Sequence, residues 1–352
     1  MQYRGLSWIL PLCASALACA HNTPLQEQPA PAATEHVLTL ISDTLVIDTT
    51  YHSMEGPYHQ LRFTIGSAER ADTLWITGIT ADVVTPDLAA LPVEYFCHAN
   101  LDYDPELHRR LFNTSRMTSN RLFTLSQGNE AMRFPEGFGI PVRSDEPLYL
   151  TTQVLSNNGV EAAQQVRVRI RLQYVRKGER PMKSLFLTSA TGMVSTDGHE
   201  GHFGMHADHH VGSGTAGVAK SGHEYRDTLG QRFSGHWVVP PGKHSVRTVV
   251  TEWLNLDSDK RVHYIGVHVH PFAQRITLRD MTAGRDVFSS LVTPLDGRIG
   301  ISKVTDLSSE AGLRLFADHH YELVADYENP TAQPVDAMAV LFLYMRDPQL
   351  EP

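Results

Sequence analysis

The run QQVRVRIRLQYV, residues 164–175, constrains the fold more than any other stretch of this chain. Val166, Val168, Ile170 and Leu172 alternate with Arg167, Arg169 and Arg171. Successive side chains of an extended strand point to opposite sides, so the four aliphatic residues lie on one face and the three guanidinium groups on the other. A helix would scatter the same residues around its circumference. Looser versions of this period-two pattern recur in TLVIDTTYH, LRFTIG, DTLWITGITADVV, VEYFCHANLDY and PLYLTTQVLSN, and again in the second half in HSVRTVVTEW, RVHYIGVHVHP, RITLRDM, HYELVADYEN and DAMAVLFLYM. The 20 prolines and 25 glycines supply turns between them. No amphipathic helix and no short internal repeat stands out. The expected fold class is therefore all-β. At 352 residues the chain is too long for one ordinary sandwich, and two tandem antiparallel, jelly-roll-like β-sandwich domains are expected.

The N-terminus carries Arg4 followed by an apolar stretch, residues 6–18, too short to cross a bilayer, which reads as an export signal peptide over 1–18. Ala16-Leu17-Ala18 before Cys19 fits a small-residue cleavage site. It also resembles a bacterial lipobox, which would make Cys19 a lipidated first residue and the only membrane anchor. Residues 19–36, rich in Ala, Pro and Gln, read as a disordered tether. The polar run RKGERP, residues 176–181, separates an N-terminal domain over 37–177 from a C-terminal domain over 181–348. An insert over 193–234 is dense in His and Gly and reads as a long loop. With Cys13 and Cys19 in the leader or anchor, Cys97 has no partner for an internal disulfide. A net charge of -9 without a dense Lys/Arg cluster excludes nucleic-acid partners.

The 19 histidines point elsewhere. His268 and His270 are separated by one residue in a β-prone run ending at Pro271, so a strand aims both imidazoles into the same space. That arrangement suits a metal ion, and equally a polar outer face. Met338 lies in an apolar terminal strand, where core filling is its ordinary role. Taken together, two imidazoles and one thioether form a soft three-donor set that favours copper, Cu(I) above all, and leaves a coordination position open.

At this point the sequence resembles a known family. WVVPPGK (237–243), HVHPFAQRITLRD (268–280), LFADHHYELVADYEN (315–329) and DAMAVLFLYM (336–345) look like the second domain of the copper type II, ascorbate-dependent monooxygenases, which include peptidylglycine α-hydroxylating monooxygenase and dopamine β-monooxygenase. Resemblance assigns His268, His270 and Met338 to the family's oxygen-binding copper. It further implies O2, an external reductant such as ascorbate, and a small-molecule or peptide substrate hydroxylated at a C–H bond. In the first half MRFPEGFGIPV (132–142) and YLTTQVLSN (149–157) resemble the stretch carrying a histidine of the family's electron-transfer copper. Leu155 stands at that histidine's place, and Cys97-His98 is the counterpart of its adjacent histidine pair.

A second copper site, if present, is therefore rebuilt. Candidate ligands are Cys97, His98, His236 and, in the insert, His199, His202, His206, His209 and His210, the insert also reading as a solvated loop. His263 has odd parity against His268 and is expected on the other face of its strand; it, His244, His319 and His320 read as surface or hydrogen-bonded structure. No nucleophile elbow, phosphate-binding loop or dinucleotide fingerprint is present. The expected protein is an exported copper monooxygenase of the bacterial cell envelope, facing the periplasm or the exterior. A non-catalytic copper-buffering lipoprotein, or an envelope interaction module with a structural metal, are the alternatives.

Overall fold

Gln164–Arg176 forms the strand that its alternation predicts. Val166, Val168, Ile170 and Leu172 are all buried, while Arg169 and Arg171 reach across the sheet to Asp82 at 3.1 and 2.9 Å. The computed structural model describes residues 35–51, 55–115, 119–196, 217–218, 224–226 and 230–350, all within one unit, Thr34–Pro352.

The fold is all-β, with β-sandwich layers. A four-stranded antiparallel sheet, in the order Tyr58–Phe63, Leu148–Val154, Phe96–Tyr103, Arg121–Ser126, covers the N-terminal part of a ten-stranded sheet. A five-stranded sheet running from Gly242–Val249 to Ile301–Val304 covers its C-terminal part. Each covering sheet shares a hydrophobic core with the large one. The large sheet runs through both halves, and Lys183–Thr191 joins Phe138–Arg143 through a short parallel pairing. The polar boundary expected at 176–181 falls in the turn leading into that joint.

This continuity explains why DAMAVLFLYM is apolar almost throughout. Leu341, Leu343 and Met345 belong to the C-terminal core, whereas Val340, Phe342 and Tyr344 belong to the N-terminal one. A strand buried on both faces has no solvated side on which to alternate. Tyr344 ties the halves together: its hydroxyl donates to the Leu122 carbonyl at 3.0 Å, and its ring lies 5.9 Å from Phe123.

Several expectations change. The fold already begins before residue 37: His36 opens a strand and pairs with Tyr174, and Glu35 accepts a hydrogen bond from Thr77 at 2.6 Å. At the other end Leu350 is buried and its carbonyl accepts from Ser184, so the second half runs past 348. Among the described residues there are two α-helices, Pro105–Phe112 and Thr251–Leu254. The first carries ordinary start and stop signals: Asp104 caps the Glu106 and Leu107 amides, Pro105 opens the helix, and Asn113 ends it in the left-handed conformation. It docks through His108, buried against Tyr103 at 4.7 Å between ring centres and paired with Glu146 at 2.9 Å. The insert is not loop throughout, because Val194–Ser195, Arg232–Ser234, Glu224–Arg226 and Gly217–Val218 form a small antiparallel sheet. His199, His202, His206, His209 and His210 lie outside the described residues, as do Cys19 and the leader.

Candidate metal centre

Strand register brings three of the candidate donors into one row. Lys260–Val269 pairs antiparallel with Ala339–Arg346, with His268 opposite Val340 and Val269 opposite Ala339. One residue further the ladder sets His270 beside Met338, and the His270 amide donates to the Met338 carbonyl at 3.3 Å. On the other side Trp237–Val239 pairs with Val335–Ala337, Trp237 opposite Ala337, so the next residue out, His236, meets Met338. Its Nε2 stands 3.0 Å from the Met338 sulfur. Met338 itself sits at a break between Val335–Ala337 and Ala339–Arg346, not inside a continuous strand as its sequence context suggests. The Tyr327 hydroxyl holds the backbone of that break, donating to the Met338 carbonyl at 2.7 Å.

The rings cluster accordingly. His268 and His270 are 5.3 Å apart between centres, and His236 and His270 5.6 Å. With a metal–nitrogen bond of about 2.0 Å, an imidazole centre lies roughly 3.2 Å from the ion, so two rings at tetrahedral or trigonal angles stand about 5–5.5 Å apart. Each pair, taken alone, has about the spacing of two imidazoles on one ion. His98, reaching in from the opposite sheet, is 6.5 Å from His268, about the span of two rings on opposite sides of an ion, and fits those angles less well. Among the described residues no group of three His, Cys, Asp or Glu side chains stands ready-made as ligands. The His236 ring is turned on the Met338 sulfur, so an ion entering here must displace that contact. The donor chemistry nevertheless suits copper: His268 Nδ1 is buried without a hydrogen-bond partner, a state that costs about 1–3 kcal/mol and that a ligated ion would relieve.

Burial sets the electrostatics. It is the first cause that lowers His98 to about 4 and His270 to about 3, and that holds His268 well below the ordinary imidazole value; neighbouring rings push in the same direction. All three are neutral at pH 7, with lone pairs available to a metal. The Asp336 backbone hydrogen-bonds the His270 ring and orients it, as partners of ligating histidines do.

A cavity of about 340 Å³ opens over this row, between the halves. His98, His236, His268 and Met338 line it together with Arg121, Asn100 and Thr124, whereas His270 is not among the lining residues. Arg121 is held by Asp102, by Asn100 at 2.6 Å and by Thr124 at 2.8 Å. Sequence reasoning overlooked this wall, although a signal was present: His98, Asn100 and Asp102 recur at period two while Ala99, Leu101 and Tyr103 alternate as core.

Of the remaining candidates, Cys97 is the extra residue of a bulge, since Phe96 pairs with Val154 and His98 with Gln153. Its sulfur lies 3.1 Å from His98 Nδ1, and burial pushes the thiol up to about 12, so it is protonated at neutral pH and a poor metal ligand. Leu155 is buried. His263 is hydrogen-bonded structure as expected, its Nδ1 3.0 Å from the Ser309 carbonyl and its ring stacked on Phe138. The parity argument for it fails, because a bulge interrupts the ladder between Val262 and Tyr264. His319 pairs with Asp280 at 2.7 Å, and the half-buried His244, opposite Tyr327 in the ladder, turns its Nε2 to the Pro241 carbonyl at 3.4 Å.

Fold and row together define a two-sandwich protein with a soft donor set at the junction of its halves. No protein-family model and no curated protein matches this chain. Among solved structures, the Sulfolobus turreted icosahedral virus shares 9% identity at a TM-score of 0.30, covering 90% of this chain and 92% of that one. The CUB1-EGF-CUB2 domains of rat MASP-1 share 7% at 0.17, covering 87% and 96%, and the ANX2 ectodomain of Arabidopsis thaliana 7% at 0.19, covering 87% and 89%. Likeness of this degree carries no argument about function.

Proposed function

We propose that this protein binds copper through His268, His270 and Met338 and hydroxylates a C–H bond of a small-molecule or peptide substrate, with O2 as oxidant and ascorbate or another external reductant as electron donor, after export to the cell envelope. The observation that carries this reading is the register that sets His270 beside Met338, with His268 two residues away, under a cavity at the lower end of the range for small-molecule sites. Copper held there would supply O2 binding and one-electron chemistry. The chain's own residues do the rest. Buried, neutral imidazoles offer lone pairs without proton competition, Tyr327 and the Asp336 backbone fix the donors, and Arg121 presents a braced guanidinium to whatever fills the cavity.

A second reading, copper binding without catalysis, is favoured by two observations. The family's electron-transfer donors are replaced by Leu155 and a protonated Cys97, and His236 already engages the Met338 sulfur. Oxygen-electrode measurements on copper-loaded protein with ascorbate separate the two. Consumption that exceeds free copper and is lost in Met338→Ile supports the monooxygenase reading. Tight copper binding with no ascorbate-dependent consumption supports the second.

A further inference from the structure

We propose that the cavity between the halves takes a neutral ligand, with a carbonyl or hydroxyl oxygen on Arg121 and a hydrocarbon body against the large sheet, and that it discriminates against carboxylates. The inference names a substrate class for the reading above and rests on that reading only for the ligand's being a substrate, since the recognition itself involves no copper. The way Arg121 is held carries it. Cross-strand register sets Asp102 opposite Arg121 and Asn100 opposite Thr124 on the neighbouring strands Phe96–Tyr103 and Arg121–Ser126. Arg121 Nε donates to the Asp102 carboxylate, and Nη1 donates to Asn100 Oδ1 at 2.6 Å and to Thr124 Oγ1 at 2.8 Å. A guanidinium has five N–H groups, so three are engaged, and the two on Nη2 have no acceptor among the described residues.

A carboxylate binds a guanidinium strongly through two parallel N–H···O bonds from two different nitrogens. With Nε and Nη1 both occupied neither forked edge is open, and Nη2 alone suits a single oxygen. Asp102 also cancels the charge that would attract an anion. The Arg121 and Asp102 side chains are only 27% and 20% exposed, so solvent screens a second negative charge poorly there. A neutral oxygen avoids that repulsion. The large sheet supplies the other lining: Ser189 lies opposite Phe342 and Thr191 opposite Val340, and all four face the cavity with Leu187. Three apolar side chains there accept a hydrocarbon body, and the two hydroxyls can donate to or accept from a second oxygen. About 340 Å³ is room for a small molecule of this kind.

The test uses the metal-free full chain and a panel of short aryl and alkyl primary amides, each paired with the carboxylate of the same carbon skeleton, 3-phenylpropanamide and 3-phenylpropanoate among them. Titration calorimetry ranks each pair, and side-chain nitrogen spectra follow the Arg121 guanidinium resonance, identified by its loss in Arg121→Lys. Expected are amides that bind at least about tenfold more tightly than their carboxylates, an Arg121 resonance that shifts on binding, and about tenfold weaker amide binding in Arg121→Lys. Asp102→Asn keeps the size and an acceptor for Nε but removes the counter-charge, and should narrow or reverse the preference; an unchanged preference overturns the charge argument. Should that variant fail to fold, the ratio in the parent chain decides. A carboxylate that binds as tightly as its amide, binding that leaves the Arg121 resonance stationary, or a panel of which no member binds overturns the inference. Amide binding without ascorbate-dependent O2 consumption by the copper-loaded chain leaves the recognition standing and overturns the monooxygenase reading alone.

Discussion

Mild acid should destabilise the metal-free protein through its buried imidazoles. His98 and His270 are held at about 4 and about 3, while in the unfolded chain both titrate near 6.5. Each is neutral in the fold, so as pH falls through 6.5 the unfolded chain takes up protons first and stability declines; the decline ends only at the folded values. Linkage puts the loss at pH 5 near 2 kcal/mol for each site, or about 4 kcal/mol together, against a total stability of about 5–15 kcal/mol. His268 shifts in the same direction and adds to the loss. Urea unfolding at pH 7.5, 6.5, 5.5 and 5.0 reads the effect in a window where carboxylates are largely ionised in both states. A stability that stays level between pH 7.5 and 5, or ring resonances of these histidines that titrate near 6.5, would refute the buried, neutral cluster.

Other consequences are checked by binding and unfolding measurements. Met338→Ile should leave the fold intact and weaken Cu(I) or silver(I) about tenfold or more while affecting Zn(II) less, because only the soft ions favour a thioether; equal losses for both would argue against a sulfur ligand. Tyr327→Phe removes the donor to the Met338 carbonyl, which keeps the His270 amide, and should cost about 1 kcal/mol in urea unfolding together with a measurable loss of copper affinity. Glu146→Ala strands buried His108 and should cost about 3–5 kcal/mol without touching metal affinity; a cost below 1 kcal/mol contradicts the structural role given to that pair. Copper at roughly a thousand times its Kd should raise stability by about 4 kcal/mol, and a chelator should reverse the gain.

What the sequence made legible was local. The alternation in Gln164–Arg176 declared its strand and buried face, and the H-x-H spacing placed His268 and His270 on a strand end. The resemblance then named Met338, which register sets beside His270. What stayed hidden depends on pairing between distant segments. Nothing near His236 announces that the Trp237 ladder ends opposite Met338, because register is fixed by Ala337, a hundred residues away. Bulges defeat parity as well: the extra residue at Cys97 and the break between Val262 and Tyr264 both shift side chains that a strict period of two would misplace. The helix Pro105–Phe112 was missed for a different reason, since its signals lie in its caps and its eight residues are too few for a convincing apolar stripe.

The central claim is that His268, His270 and Met338 surround one copper ion. Anomalous diffraction at the copper edge from crystals of the copper(I)-loaded full chain tests it most directly. A single strong peak bonded to both rings and to the Met338 sulfur is the predicted result; peaks confined to the insert histidines, with that sulfur still on His236, would contradict it.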